Sequence, residues 1–209
     1  MPRKPIVRSQ EHFYHLCARS NNKEHFYLPQ ETVWKITSRK LGLLQKEYDL
    51  KISAFVLMNN HFHLLALSPK ENIDRIMYFF MKDVTMVMQK KTGRINKIFG
   101  GRYKGCLIED SKYLLNVYKY IYRNPIVAGL SETAEDYAFS TLANTDVPFK
   151  IDPIMPMNIA VSKIVELQWI NETFKLEESE SLKWGLSKSV FRYKENRNSR
   201  KLIKPNFHF

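Results

Sequence analysis

The chain has 209 residues, 44% hydrophobic and 13% aromatic, enough for one domain of ordinary size with a real core plus an extension. Its 33 Lys and Arg against 21 Asp and Glu leave a formal net charge of +12, which favours a polyanionic partner, nucleic acid first. Two cysteines, Cys17 and Cys106, exclude a disulfide framework and fit a reducing cytoplasm; no apolar run reaches the roughly 18 residues of a membrane span, and no signal-peptide hydrophobic region follows the opening residues.

Behind the basic residues Arg3, Lys4 and Arg8, residues 12–18 read as a first strand and Arg19-Ser20-Asn21-Asn22 as a loop. Over 29–48, Val33, Ile36, Thr37, Leu41, Leu44 and Tyr48 recur at helical spacing, with Pro29 well placed at the start. Two apolar runs, 51–58 and 61–68, are split by Asn59-Asn60, the pattern of a β-hairpin or a tight bend. A long helix is predicted over 72–91, with Ile73, Ile76, Met77, Phe80, Val84, Val87 and Met88 on one side and Thr92-Gly93 at its end.

Residues 99–105 are a glycine-flanked segment in which Arg102 and Lys104 alternate around Tyr103. That pattern suits a phosphate backbone, or a plain turn into the short strand predicted over 106–109. Asp110 or Ser111 caps a helix that runs to Asn124, where Pro125 forces the stop. The order βαββαβα predicts an α+β fold with an antiparallel sheet and helices on one face.

Two features carry chemistry. In a strand, His61 and His63 point to one side while Phe62 and Leu64 point to the other, so two imidazoles can share one cation and a third donor must come from elsewhere. On the helix before Pro125, Leu114, Val117 and Ile121 form the apolar stripe, whereas Tyr113, Asn116, Tyr120 and Asn124 gather on an adjacent polar-aromatic strip. Tyr118 and Tyr122 read as packing or surface residues. His12, His15, His25 and His208 show no second ligand spacing and are assigned no role.

Three segments together, Asn60-His61-Phe62-His63-Leu64, Gly101-Arg102-Tyr103-Lys104 and Tyr120-Ile121-Tyr122-Arg123-Asn124-Pro125-Ile126-Val127-Ala128-Gly129-Leu130, resemble the single-tyrosine HUH (IS200-like) transposases, above all the bacterial REP-associated tyrosine transposases. The likeness runs from about residue 1 to 142, and it departs from the family pattern at Asn59, often Pro, at Val127, often Arg, and at Arg19-Ser20-Asn21, where Arg-Gly-Asn is common. It implies a ferredoxin- or RRM-like palm, a metal site of His61, His63 and Asn124 holding Mg²⁺ or Mn²⁺, and Tyr120 as nucleophile. It also implies nicking and rejoining of single-stranded, hairpin-forming repeats through a 5′-phosphotyrosine, in the bacterial cytoplasm beside the nucleoid and away from membranes. Ligand softness alone would also allow Zn²⁺. The insertion-sequence relatives are dimers with an exchanged tyrosine helix and the REP-associated members are monomers; the Asn-Pro pair and the long extension place this chain nearer the latter.

Residues 1–147 are read as the catalytic domain and 148–209 as a helical extension with a basic tail. A helix is expected over 159–174 and a solvated helix start at Glu177-Glu178-Ser179-Glu180. Aromatics and cations are interleaved from Trp184 onwards, so the expected DNA contacts are Arg3, Lys4, Arg19, Arg102, Lys104, Arg192, Lys194 and Arg197. Competing readings are a hairpin-binding protein without cleavage and a phosphodiesterase that uses water.

Overall fold

The computed structural model describes residues 6–70, 72–154 and 162–205. Strands β1 (Phe13–Arg19), β2 (Lys51–Leu57), β3 (His61–Leu67) and β4 (Lys104–Ile108) form one antiparallel sheet in the order β2-β3-β1-β4. Helix α1 (Gln30–Tyr48) joins β1 to β2, and α2 (Ile73–Thr92) joins β3 to β4. This is the expected palm, the split βαβ arrangement.

The period-2 pattern of the strands decides which helices lie where. Tyr14 and Leu16 of β1 with Phe62 and Leu64 of β3 share a core with Val33, Leu41 and Leu44 of α1 and Ile76, Phe80 and Val84 of α2. The opposite faces of the same strands, with Leu65, Val56 and Cys106, pack under Val117, Ile121 and Tyr122 of α3 (Ser111–Val127). The palm's two crossover helices therefore sit on one face, while α3 and the extension cover the other.

Pro125 does not end α3, which continues to Val127. Proline lacks the N–H that would bond the carbonyl four residues back. Here the Asn124 side chain supplies a donor, its Nδ2 giving hydrogen bonds to Tyr120 O at 2.8 Å and to Ile121 O at 3.4 Å. The N-terminus follows expectation, since Asp110 Oδ1 accepts from the amides of Lys112 and Tyr113.

The extension folds back. Helix α4 (Lys163–Asn171), shorter than expected, is followed by α5 (Leu176–Gly185), which starts near the predicted acidic run. Arg123 of α3 donates to the carbonyls of Ile170 and Asn171, clamping the end of α4, and Tyr118 donates to Glu166 at 2.8 Å. Beyond α5 the chain pairs with the outer edge of β4, Leu107 N donating to Ser189 O at 2.9 Å and Phe191 N to Leu107 O at 2.8 Å. At the other edge, β2 is bridged by Ser140 and Ile151. Both edges, which would otherwise offer open backbone groups to another chain, are covered.

Gly185 permits the fold-back: a Cβ there would lie 2.5 Å from Arg192 O and 2.8 Å from the Phe191 ring. Gly185→Ala is expected to cost about 1–3 kcal/mol by overpacking. It should lower the urea midpoint and speed hydrogen exchange at the Phe191 amide.

Candidate active site

The sheet register brings the expected residues together. Across the strands, Lys104 pairs with Cys17, Cys17 with His63, and His63 with Val56, while Arg19 pairs with His61 one row on. All of these side chains point to the α3 side of the sheet, because they share the face opposite Leu16 and Phe62. Helix α3 lays Tyr120 over this row, its ring edge-on to His63 at 6.1 Å and to His15 at 6.3 Å.

The hydrogen bonds fix which nitrogen of each imidazole is available. Asn60 Nδ2 donates to Lys23 O at 2.7 Å, so Asn60 Oδ1 must face His61 Nδ1, also at 2.7 Å. Oδ1 only accepts, which places the proton on Nδ1 and leaves the His61 Nε2 lone pair bare. His63 Nδ1 lies 2.8 Å from His15 Nε2, and His63 Nε2 is buried with no hydrogen-bond partner among the described residues. Asn124 spends its amide hydrogens on the helix backbone, which leaves Oδ1 as its remaining polar atom.

His61, His63, Tyr120 and Asn124 line one cavity of about 680 Å³. Its other walls carry Arg19, Lys23, Arg102, Lys104 and Lys183, and among the described residues no carboxylate belongs to them. Lys183, from α5, shows that the extension forms part of the site. Arg102 is held in place by an ion pair to Asp74, which also takes hydrogen bonds from Tyr103 Oη at 2.8 Å and Arg8 Nε at 3.2 Å. Burial pushes His15 and His61 down to about 4 and His63 well below the ordinary range, so all three rings are neutral at pH 7. Burial raises the Tyr120 phenol to about 12, opposed by the positive charge of Arg19.

The sign of the resulting pH dependence follows. An unfolded histidine takes up a proton near pH 6.5, whereas the folded rings resist it down to about 4. Stability contributed by these rings is full above pH 6.5 and is lost as the pH falls toward 4. The metal-free protein should melt at progressively lower temperature over that window. His15→Gln, which keeps a hydrogen-bond acceptor but cannot titrate, should show a shallower decline.

Some expected contacts are elsewhere. Arg192, Lys194 and Arg197 do not line the cavity; Arg192 sits 5.5 Å over the Trp184 ring, and Lys194 N donates to Ser181 Oγ at 2.9 Å. Arg3 and Lys4 lie outside the described residues. Three residues that the sequence did not single out for the site, His15, Asn60 and Lys183, now belong to it. His15, two residues before Cys17 in β1, shares the face of His63 through the β1–β3 register, which local sequence does not reveal.

A model of the IS200-like transposase family matches residues 8–124, more than half of the chain. The chain belongs to the IS200-like transposase family. The matched span contains the histidine pair and closes on Asn124. A Haemophilus influenzae protein described as a REP-associated tyrosine transposase is 31% identical over 121 residues, 52% of this chain and 67% of that protein. The solved structure of a REP-associated tyrosine transposase bound to a REP hairpin superposes with a TM-score of 0.57 at 19% identity, covering 74% of this chain and 90% of that one, a likeness of fold. A Deinococcus radiodurans structure described as a transposase, 13% identical over 58% of this chain and 94% of its own, has a TM-score of 0.39 and carries no weight. Among the described residues no helix is long and apolar enough to cross a membrane.

Proposed function

We propose that the protein cleaves and rejoins single-stranded DNA at hairpin-forming repeats of the REP type, with Tyr120 as nucleophile and His61, His63 and Asn124 as holders of a divalent cation. The observation that carries this reading is the buried, partnerless His63 Nε2 beside the Tyr120 ring. A ring nitrogen shut away from water without a partner is costly; in the tautomer with the proton on Nδ1, a cation shared with His61 Nε2 and Asn124 Oδ1 would resolve it. Among the described residues no three His, Cys, Asp or Glu are placed to hold one metal ion together, and the proposal takes the third donor from the Asn124 amide. The proposed ion is Mg²⁺ or Mn²⁺, as the family resemblance implies, with phosphate oxygens and water to complete its coordination; two imidazoles also suit Zn²⁺. When bound, such an ion supplies charge neutralisation on the non-bridging oxygens.

The residues divide the remaining work. Arg19, Lys104 and Lys183 attract and orient the phosphate in a cavity whose described lining holds no carboxylate. Tyr120 Oη bonds to phosphorus as the bond from phosphorus to the 3′-oxygen breaks, and the phenol proton passes, in net terms, to the released 3′-OH. The DNA 5′-phosphate is then a tyrosine ester, and attack by a 3′-OH reverses the step, so no nucleotide triphosphate is consumed. Tyr120 over the histidines of its own chain, with both sheet edges covered, supports a monomer as the active unit.

Incubation with a REP-hairpin oligonucleotide and Mn²⁺, resolved on a denaturing gel, tests the reading. A covalent protein–DNA band is expected. Cleavage without it indicates hydrolysis by water, and binding without cleavage indicates a hairpin binder.

His15 orients His63 through the 2.8 Å contact. Loss of such an outer partner typically weakens metal binding by about 10–100-fold. His15→Leu should show that loss in Mn²⁺ titrations, and His15→Gln should restore most of it.

A further inference from the structure

A second cavity, of about 850 Å³, runs between α2 and residues 95–103, on the far side of the loop that closes the candidate site. Gly100, Gly101 and Arg102 line both cavities, so the two share a wall. Gly100 brings that wall close to β1: its amide donates to Arg19 O at 3.0 Å, and a Cβ would lie 3.2 Å from Ser20 O.

The groove is lined by exposed apolar side chains from α2 and from the loop after it. Tyr78 is 59% exposed, Met86 56% and Ile95 93%. Three cations, Lys82, Lys97 and Arg102, accompany them, and the one acid among the described residues of the groove, Asp74, is already neutralised by Arg8 and Arg102. A ring and aliphatic surface set among cations is the composition that holds unpaired bases and their phosphates. Paired bases, stacked inside a duplex, have no use for it.

We infer that this groove is a track for the unpaired strand that flanks the hairpin, guiding it over the Gly100–Arg102 wall into the site at Tyr120. The inference rests on the DNA-cleaving reading above. Bases lie on Tyr78, Met86 and Ile95, and phosphates meet Lys82, Lys97 and Arg102.

The test uses the full chain and a fluorescent oligothymidylate, then a REP hairpin with and without an unpaired oligothymidylate flank. Tyr78→Ala and Lys97→Glu alter exposed side chains, and thermal melting checks that each variant is folded. Each is expected to weaken oligothymidylate binding by about 5- to 100-fold, in line with the loss of one stacked base or one phosphate contact, and to remove the affinity that the flank adds to the hairpin. Iodouracil placed in the flank should crosslink to peptides containing Tyr78, Met86 or Ile95. Unchanged affinity in both variants, with crosslinks elsewhere, overturns the track. The covalent band at Tyr120 reports separately. If the wild type forms it and Tyr78→Ala binds the flank normally, only the track falls; if no DNA forms it, the cleavage reading falls whatever the flank binding shows.

Discussion

Tyr120→Phe keeps the fold yet forms no covalent adduct, and strand cleavage falls on the order of 10⁴-fold or more, as removal of a nucleophile does elsewhere. The phenyl ring can hold the same edge-on contacts to His63 and His15, 6.1 and 6.3 Å away, so the loss is chemical rather than structural. No neighbour can replace the hydroxyl. Tyr113 stacks edge-on against Tyr193 at 4.8 Å, Tyr118 donates to Glu166, and Tyr122 is buried with its hydroxyl on Thr141 at 2.8 Å. Tyr120 is the tyrosine of α3 that lines the cavity. Cleavage that survives the substitution, measured on the same oligonucleotide at matched protein concentration, would assign the chemistry to water.

The second large effect concerns the cation. His63→Ala should reduce both Mn²⁺ affinity and cleavage by at least about a hundredfold, more than loss of an outer partner such as His15. The cavity also predicts how the ion binds. Its proposed ligands are neutral, its walls carry five cations, and among the described residues none that lines it is a carboxylate. A divalent ion entering alone meets repulsion that only a DNA phosphate offsets. Mn²⁺ should therefore bind weakly to the free protein and more tightly with the oligonucleotide present, and by linkage Mn²⁺ should tighten DNA binding by the same factor. Electron paramagnetic resonance titration of free Mn²⁺ reads both. Equal affinity with and without DNA would mean that carboxylates or other anions complete the site.

Much of the fold was legible because periodicity carried it. The alternation in β1 and β3 and the helical spacing of α1 and α2 located those elements within a residue or two of their observed bounds. Pro125 misled, since the rule that proline ends a helix assumes that nothing compensates for the missing donor, and the Asn124 amide does so here. Strand β4 starts at Lys104 rather than Cys106 because pairing with Cys17, invisible in local pattern, extends it.

The site was legible in part. The spacing of His61 and His63 and the i, i+4 pair Tyr120 and Asn124 are local facts that survive into three dimensions, and the register places them around one cavity. His15 was not legible, because its partner is 48 residues away and only the β1–β3 register joins them. Nor was Lys183, which reaches the cavity because Gly185 lets the chain turn back along β4. The basic tail lies apart from the cavity. Composition marked Arg192, Lys194 and Arg197 as contacts, while packing sets them outside the cavity, with Arg192 over Trp184.

The central claim is that a phosphotyrosine forms at Tyr120, and peptide mapping of the protein–DNA adduct by mass spectrometry tests it most directly. The account predicts a single modified peptide from α3 whose added mass is a 5′-phosphorylated nucleotide on Tyr120. A nucleotide on any other residue, or cleaved DNA beside wholly unmodified protein, would contradict it.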